Sequence, residues 1–147
     1  MLFRSEAEPF LVSPNQAEAE ALVGQEFHDE EDFRIALDGI VELGARNVLI
    51  TTEQGAVALV REERDVRRYR ARAPRVDPVS AVGAGDALLA GFLAARHAGR
   101  SNEDALRAAV AAGAASTLQV GAGRFVPRHA GRLQAGVELS ELAAIEA

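Results

Sequence analysis

A stretch of small and apolar residues carries the clearest chemical signal in this sequence. It reads VSAVGAGDALLAGFLAA over residues 79–95, with Gly83 and Gly85 directly before Asp86. Glycines allow backbone conformations that a Cβ atom forbids, so consecutive N–H groups can converge on one point. A helix that begins at about Ala84 adds the positive end of its dipole. Together these features favour binding of a phosphate or of another oxyanion.

Asp86 has two possible roles beside such a turn. Its carboxylate could cap the helix, as aspartate commonly does at a helix start. Alternatively, it could accept a proton from a hydroxyl group that attacks a phosphorus atom held by the turn. Two other phosphate-binding motifs are excluded, because a dinucleotide fingerprint needs glycine where Leu88 stands and a P-loop needs lysine, which the sequence lacks.

A second candidate site is the segment SPNQAE at residues 13–18, where Asn15 stands three residues before Glu18. That spacing is typical of a capping box at the start of a helix. The same two side chains could instead present oxygen atoms to a hydrated Mg²⁺, which commonly binds one or two carboxylates together with phosphate and water. The spacing does not decide between the two roles.

A third candidate is ITTEQGAVALV at residues 50–60, in which a strand runs into Thr51 and Thr52 and a turn closes on Gly55. Such a loop could hold nucleotide phosphates, or it could be an ordinary hairpin turn. The histidines at positions 28, 97 and 129 share no spacing typical of metal ligands, so we assign none of them to a metal.

Composition excludes several classes of function. The absence of cysteine excludes disulfides and thiolate chemistry. All 16 basic residues are arginine, so neither a Walker-type lysine nor a Schiff base is available. The net charge of −6 argues against nucleic acid as the main partner. With no apolar run near the ~20 residues of a membrane span and no charged-then-apolar leader, we expect a soluble, cytoplasmic protein without a membrane partner.

Seven arginines form a local basic segment over residues 61–75. Within RRYRARA, the residues Tyr69, Ala71 and Ala73 alternate with arginine, which is typical of a half-exposed strand. We therefore interpret the segment as a solvated sheet face whose charge is balanced by the nearby acids at positions 62, 63 and 65. The alternative, a nucleic-acid-binding patch, needs more positive surroundings.

The elements that must position these residues alternate along the chain. Apolar runs predict strands at residues 10–12, 47–50, 55–60 and 67–73. Helical spacing and caps predict helices ending at Gly24, over residues 29–44, 86–97 and 101–118, and a short one near Gly131. Helices 86–97 and 101–118 are rich in alanine and glycine and should pack closely. The sequence thus predicts a single α/β layered domain with a mainly parallel sheet, in which ligands gather at the carboxyl ends of strands.

Three segments in this order, SPNQAEAEALVG, VLITTEQGAVALV and SAVGAGDALLAGFLAA, resemble the carboxyl-terminal half of PfkB-type (ribokinase-like) carbohydrate kinases. The short form SAVGAGD and the later GAGRF are most similar to the 1-phosphofructokinase and tagatose-6-phosphate kinase branch. The resemblance covers residues 8–140. It implies a ribokinase-like fold in which residues 1–147 are the nucleotide-binding half, without the amino-terminal sugar-binding half and lid.

The resemblance also implies a chemistry, the ATP- and Mg²⁺-dependent transfer of a phosphoryl group to a hydroxyl of a sugar or sugar phosphate. Gly83, Ala84 and Gly85 would form the anion hole, and Asp86 would be the base. Phosphoryl transfer depends largely on positioning and charge stabilisation, which such a turn can supply. Asn15 would help to organise Mg²⁺ and phosphate. The other residues that the resemblance implies are Glu18 for the metal, and Thr51, Thr52, Gly55 and Val82 along the nucleotide.

The sequence departs from the family pattern at three positions and in length. Ser13 stands where lysine is frequent, Thr52 where glycine is usual, and Ser80 where many relatives have aspartate. Family members are about twice as long, so a non-catalytic nucleotide-binding or assembly module is the alternative function. Strands left without their neighbours should expose apolar surface, which predicts homo-oligomers or association through that edge.

Overall fold

The computed structural model describes residues 9–76, 83–118 and 127–142. The chain divides into two compact units, which in these ranges comprise residues 9–52, 56–70 and 141–142 for unit 1, and residues 53–55, 71–76, 83–118 and 127–140 for unit 2. The elements in chain order are β1 (Leu11–Val12), α1 (Gln16–Val23), α2 (Glu30–Glu42), β2 (Asn47–Thr52), β3 (Gly55–Glu62), β4 (Asp65–Arg72), α3 (Ala84–His97), α4 (Asn102–Ser116), α5 (Pro127–Gln134) and β5 (Glu138–Glu141). None of the helices in these ranges combines the length and the apolar character that crossing a membrane requires.

Five strands form one sheet in the order β1-β2-β3-β4-β5. β1 pairs in parallel with β2, with Leu11 opposite Asn47 and Val12 opposite Val48. Two-residue connections join β2 to β3 and β3 to β4, and connections this short permit only antiparallel pairing. The predicted α/β class is confirmed. The sheet is mixed, because hairpin turns rather than helices link β2 to β3 and β3 to β4.

The core of unit 1 lies between the sheet and the helices α1 and α2, which pack on each other and on β2. Apolar residues recur at helical spacing along α2 and face the strands, as the sequence predicts. Asp29 caps α2 by accepting a hydrogen bond of 2.9 Å from the N–H of Asp32. The buried members of this core are Ala19, Phe27, Phe33, Ala36, Leu37, Ile40, Ala45, Val48, Ile50, Val57, Leu59 and Leu142.

The arginine-rich strand β4 is half-buried, and the alternation predicted for it is confirmed at Tyr69 and Ala71, both of which are buried. Arg68 and Arg70 are less solvated than predicted, because each pairs with an acid on α2, whereas Arg72 is exposed. The side chains of Arg68 and Arg70 are only 21% and 12% exposed. Arg70 pairs with Glu30 at 3.2 Å, so its charge is balanced by a helix distant in sequence. The predicted balance by nearby acids is seen at Arg67, which pairs with Glu62 at 3.4 Å.

Asp38 on α2 accepts hydrogen bonds from Arg68, with distances of 2.9 Å to Nε and 2.7 Å to Nη2. Its second oxygen lies 3.9 Å from Nη1 of Arg34, whose side chain is 8% exposed. The Nη2 atom of Arg34 is buried and has no hydrogen-bond partner in the described ranges. One carboxylate therefore serves two guanidinium groups. On the opposite side of β4, the pKa of Arg67 is raised above its ordinary value, first by Tyr69 and then by Glu141 and Glu62, so Arg67 stays charged.

In unit 2, α4 packs against both α3 and α5. Ser101 caps α4, since its Oγ accepts a hydrogen bond of 3.1 Å from the N–H of Asp104, as the sequence predicts. The close pairing predicted for α3 and α4 is confirmed at Gly91, where a Cβ atom would lie 3.0 Å from the Cβ of Ala112 and 3.2 Å from the Cα of Ala109. A side chain larger than hydrogen at position 91 would force the two helices apart.

Candidate functional site

The turn GAGD leads directly into α3. Gly83 occupies the N-cap position with φ +82° and ψ 3°, a left-handed conformation that favours glycine. The first hydrogen bond of the helix runs from the N–H of Ala87 to the carbonyl oxygen of Gly83, at 2.9 Å. The N–H groups of Ala84, Gly85 and Asp86 have no partner within the helix, as at every α-helix start. They lie at the positive end of the helix dipole, where an anion is favoured.

Asp86 is exposed in the first turn of α3. Among the residues that the structure describes, its carboxylate has neither a hydrogen-bond partner nor an ion-pair partner. The capping role considered for Asp86 is therefore not adopted by its side chain within these ranges. The negative charge is stabilised by the helix dipole, and both carboxylate oxygens can accept a proton from a bound molecule.

Asn15 and Glu18 form the capping box that their spacing predicts. Oδ1 of Asn15 accepts a hydrogen bond of 2.8 Å from the N–H of Glu18, and Oε1 of Glu18 accepts one of 3.0 Å from the N–H of Asn15. Both side chains are exposed, and among the described residues the Oε2 atom of Glu18 has no partner. This geometry fits a hydrated Mg²⁺, because one carboxylate oxygen can hold a coordinated water without breaking the capping box.

The start of α1 lies beside the carboxyl end of β2. Asn15 forms an isolated parallel bridge with Thr51, and the N–H of Thr51 donates to the carbonyl oxygen of Pro14 at 3.0 Å. The structure therefore brings Asn15, Glu18 and Thr51 together within unit 1. In the described ranges no three side chains of histidine, aspartate or glutamate lie close enough to hold a metal, so any Mg²⁺ bound here would rely on phosphate and water for its remaining ligands.

The segment from Thr51 to Gly55 is a hairpin turn. Thr51 and Thr52 end β2, the next two residues form the turn, and Gly55 begins β3. Gly55 has φ +150°, and a Cβ atom there would lie 2.1 Å from the carbonyl oxygen of Ala71. The hairpin interpretation is therefore confirmed, and the backbone conformation together with the close approach of β4 explains the glycine at position 55. The role of these residues along a nucleotide stays a prediction.

The predicted residues fall into two sets. Asn15, Glu18, Thr51 and Thr52 belong to unit 1, whereas Gly55 and the consecutive residues 83–86 belong to unit 2. Val82 and Ser80 lie outside the described residues. His28 and His97 are exposed, and the side chain of His129 also lies outside the described part.

Sequence reasoning missed Gly113 on α4, which contacts the start of α3. A Cβ atom at this position would lie 3.2 Å from the carbonyl oxygen of Ala84. The signal was present in the sequence, because an isolated glycine inside an alanine-rich helix costs about 1 kcal/mol relative to alanine and usually has a packing or functional reason.

Comparison with known proteins shows the family to which the chain belongs. Residues 4–129 match the profile described as pfkB family carbohydrate kinase. The 1-phosphofructokinase of Borreliella burgdorferi is 32% identical over 111 residues, which are 76% of this chain and 36% of that protein.

Two solved structures are similar to the chain in fold. Phosphofructokinase-2 from Escherichia coli in complex with potassium has a TM-score of 0.73 at 32% identity and is matched over 86% of this chain and 40% of that one. Arabidopsis thaliana ribokinase complexed with ribose and ATP has a TM-score of 0.72 at 26% identity, over 85% of this chain and 40% of that one. The predicted ribokinase-like fold is confirmed, and the chain spans less than half the length of each of these relatives.

Proposed function

Because the chain belongs to the pfkB family of carbohydrate kinases, we propose that it is the carboxyl-terminal, nucleotide-binding half of an ATP-dependent phosphotransferase of the 1-phosphofructokinase type. Its acceptor is a hydroxyl group of a sugar or sugar phosphate, and its compartment is the cytoplasm. The observation that carries the proposal is the left-handed turn at Gly83, which leads straight into α3 and leaves the Asp86 carboxylate exposed and without a partner in the described ranges.

The chemistry follows from this geometry. A phosphoryl group at the start of α3 accepts hydrogen bonds from the N–H groups of Ala84 and Gly85, with Gly83 setting the turn, and the helix dipole stabilises its negative charge. The acceptor oxygen then forms a bond to phosphorus while the bond from phosphorus to the leaving ADP breaks. Asp86 takes the proton that the acceptor hydroxyl loses.

The nucleotide and its metal are assigned to the remaining predicted residues. The Oε2 atom of Glu18, which has no partner in the part of the chain that the structure describes, suits a water molecule of hydrated Mg²⁺. Asn15 holds the Glu18 backbone in place. When bound, Mg²⁺ neutralises charge on the phosphate oxygens. Thr51 and Thr52 offer hydroxyl groups at the carboxyl end of β2, where ligands of α/β sheets gather. Val82 and Gly55 complete the proposed set along ATP.

The test is the variant Asp86→Asn in the polypeptide as the gene encodes it, compared with Asp104→Asn. Both aspartates are the third residue of a helix, so both variants lose a similar interaction with a helix dipole. Loss of a general base lowers turnover by about 10²- to 10⁴-fold. We expect a loss in that range for Asp86→Asn and near-normal turnover for Asp104→Asn. Near-normal turnover of Asp86→Asn would remove the base from the proposal.

A second candidate function is a non-catalytic nucleotide-binding or assembly module. It is favoured by β1, which ends the sheet and is followed outward by no strand in the described ranges. Phe10 beside it is 58% exposed. A partner strand or a second copy of the chain could cover this edge.

Isothermal titration with ATP and Mg²⁺, together with a coupled kinase assay on the 147 residues alone, separates the two functions. Robust sugar phosphorylation by this chain alone would reject the module, and a purely monomeric sedimentation profile would argue against association through β1.

A further inference from the structure

Gly113 lies in the last turn of α4 and is buried against the first turn of α3. A Cβ atom built on it would lie 3.2 Å from the carbonyl oxygen of Ala84 and 3.3 Å from the Cβ of Leu88. Contacts this short require one of the two helices to move by a few tenths of an ångström. The atom in the way is a backbone carbonyl, which cannot rotate aside as the end of a long side chain can.

The contact of Gly113 with the Ala84 carbonyl can affect the proposed anion hole because one planar peptide group connects the two. The carbonyl group of Ala84 and the N–H group of Gly85 belong to the same peptide bond, which is planar. A push on the Ala84 oxygen therefore displaces the Gly85 N–H, one of the donors proposed to bind the transferred phosphoryl group. Donors of this kind act only when they are placed correctly for the transition state, and small displacements at a reacting centre reduce rates strongly.

Gly91 offers a direct comparison at the same helix pair. It lies two turns further along α3, and a Cβ atom there would meet Ala112 at 3.0 Å, closer than either contact of Gly113. An alanine at position 91 should thus strain the interface at least as much as one at position 113. The strain from an alanine at position 91 lies away from residues 83–86. Comparing the two variants therefore separates strain in the helix interface from displacement of the first turn of α3.

We propose that Gly113 is a positioning residue for phosphoryl transfer. Because Gly113 lacks a Cβ atom, the peptide group between Ala84 and Gly85 can pack directly against α4. This packing fixes the position of the Gly85 N–H. The proposal rests on the function proposed above for the start of α3. It assigns a role in turnover to a residue that touches neither substrate nor nucleotide.

The experiment compares Gly113→Ala with Gly91→Ala in the polypeptide as the gene encodes it. We expect kcat of Gly113→Ala to fall about tenfold, with KM for ATP and for the sugar phosphate changed by less than about twofold, because the displaced donor acts mainly on the transition state. For Gly91→Ala we expect a loss of Tm at least as large and kcat within about twofold of the wild type. Equal kcat values for the two variants would overturn the proposal.

A second measurement does not depend on activity. In a regular helix the N–H of Leu88 donates to the Ala84 carbonyl. We therefore expect residue-resolved amide exchange at Leu88 to be about tenfold faster in Gly113→Ala than in the wild type, and unchanged in Gly91→Ala. If the wild type phosphorylates no sugar substrate, the proposed function fails while this measurement still tests the contact. Unchanged exchange at Leu88, or faster exchange with unchanged kcat in an active enzyme, would overturn the positioning role.

If Gly113→Ala does not fold, the double variant Gly113→Ala/Leu88→Ala replaces it. Truncating Leu88 removes its Cδ1 atom, which lies 3.5 Å from the new methyl group, and leaves the contact with the Ala84 carbonyl in place. The matched reference is Leu88→Ala alone. We expect kcat of the double variant to be about tenfold below that of Leu88→Ala, and equal values would overturn the proposal.

Discussion

Gly55 gives the sharpest test of the backbone geometry, because both its conformation and its surroundings exclude a side chain. Its φ is +150°, and a Cβ atom would lie 2.1 Å from the carbonyl oxygen of Ala71 and 3.1 Å from its carbonyl carbon. The obstacle is again backbone, so β3 and β4 would have to separate locally in the variant Gly55→Ala. We expect this variant to be among the most destabilising single substitutions in the protein.

The magnitude follows from two contributions. An L residue held in such a backbone conformation costs about 1–3 kcal/mol. Overpacking against a fixed neighbour adds about 1–3 kcal/mol. Taking the middle of each range, the free energy of unfolding should fall by about 4 kcal/mol, a large part of the roughly 5–15 kcal/mol that stabilises a typical domain.

Gly24→Ala is the matched control for Gly55→Ala. Gly24 ends α1 with φ +72°, but nothing lies within 4 Å of its ideal Cβ position. It therefore shows the cost of a left-handed conformation alone, about 1 kcal/mol. Of the difference of about 3 kcal/mol between the variants, about 2 kcal/mol reports the contact with Ala71 and the rest the more strained conformation at φ +150°.

Urea unfolding followed by circular dichroism measures both variants, since the sequence has no tryptophan for fluorescence. With a slope near 2 kcal/mol per molar urea, the two midpoints should differ by about 1.5 M. Equal midpoints would refute the reasoning, because the close approach of β4 would then contribute nothing to the requirement for glycine. Complete unfolding of Gly55→Ala beside a folded Gly24→Ala would agree with it.

Three further predictions concern stability, and urea unfolding of each variant against the wild type measures them all. Asp38→Ala should lose about 2 kcal/mol, because Arg68 loses its charged acceptor, whereas Arg34→Met should be neutral or stabilising, because it removes a buried guanidinium with an unpartnered Nη2 in the described ranges. Equal losses of stability in these two variants would contradict the inference that Asp38 pairs more closely with Arg68 than with Arg34. Ser101→Ala should lose about 1 kcal/mol through its missing cap on α4, and an unchanged midpoint would show that the cap contributes nothing. Ser116→Ala should be neutral or more stable by about 1 kcal/mol, because its buried Oγ has no hydrogen-bond partner in the described part of the chain; a clear loss would indicate a partner.

Local sequence predicted the elements well where one physical signal dominated. The caps at Asn15 and Ser101, and the apolar spacing of α2, depend on residues three or four positions apart. The same is true of the turn at Gly83, where consecutive residues supply both the glycine conformation and the helix start. These features could be predicted because the interacting groups are neighbours along the chain.

The sequence by itself determined which residues can carry chemistry, but only the tertiary structure decided which groups meet. No local pattern shows that Asp38 pairs with Arg68 across 30 residues, that Gly55 is required by Ala71, or that Gly113 contacts Ala84. Each of these contacts depends on how closely two distant segments approach, to within a few tenths of an ångström. Side-chain periodicity sets which face of an element is buried, whereas the packing of the whole unit sets that distance.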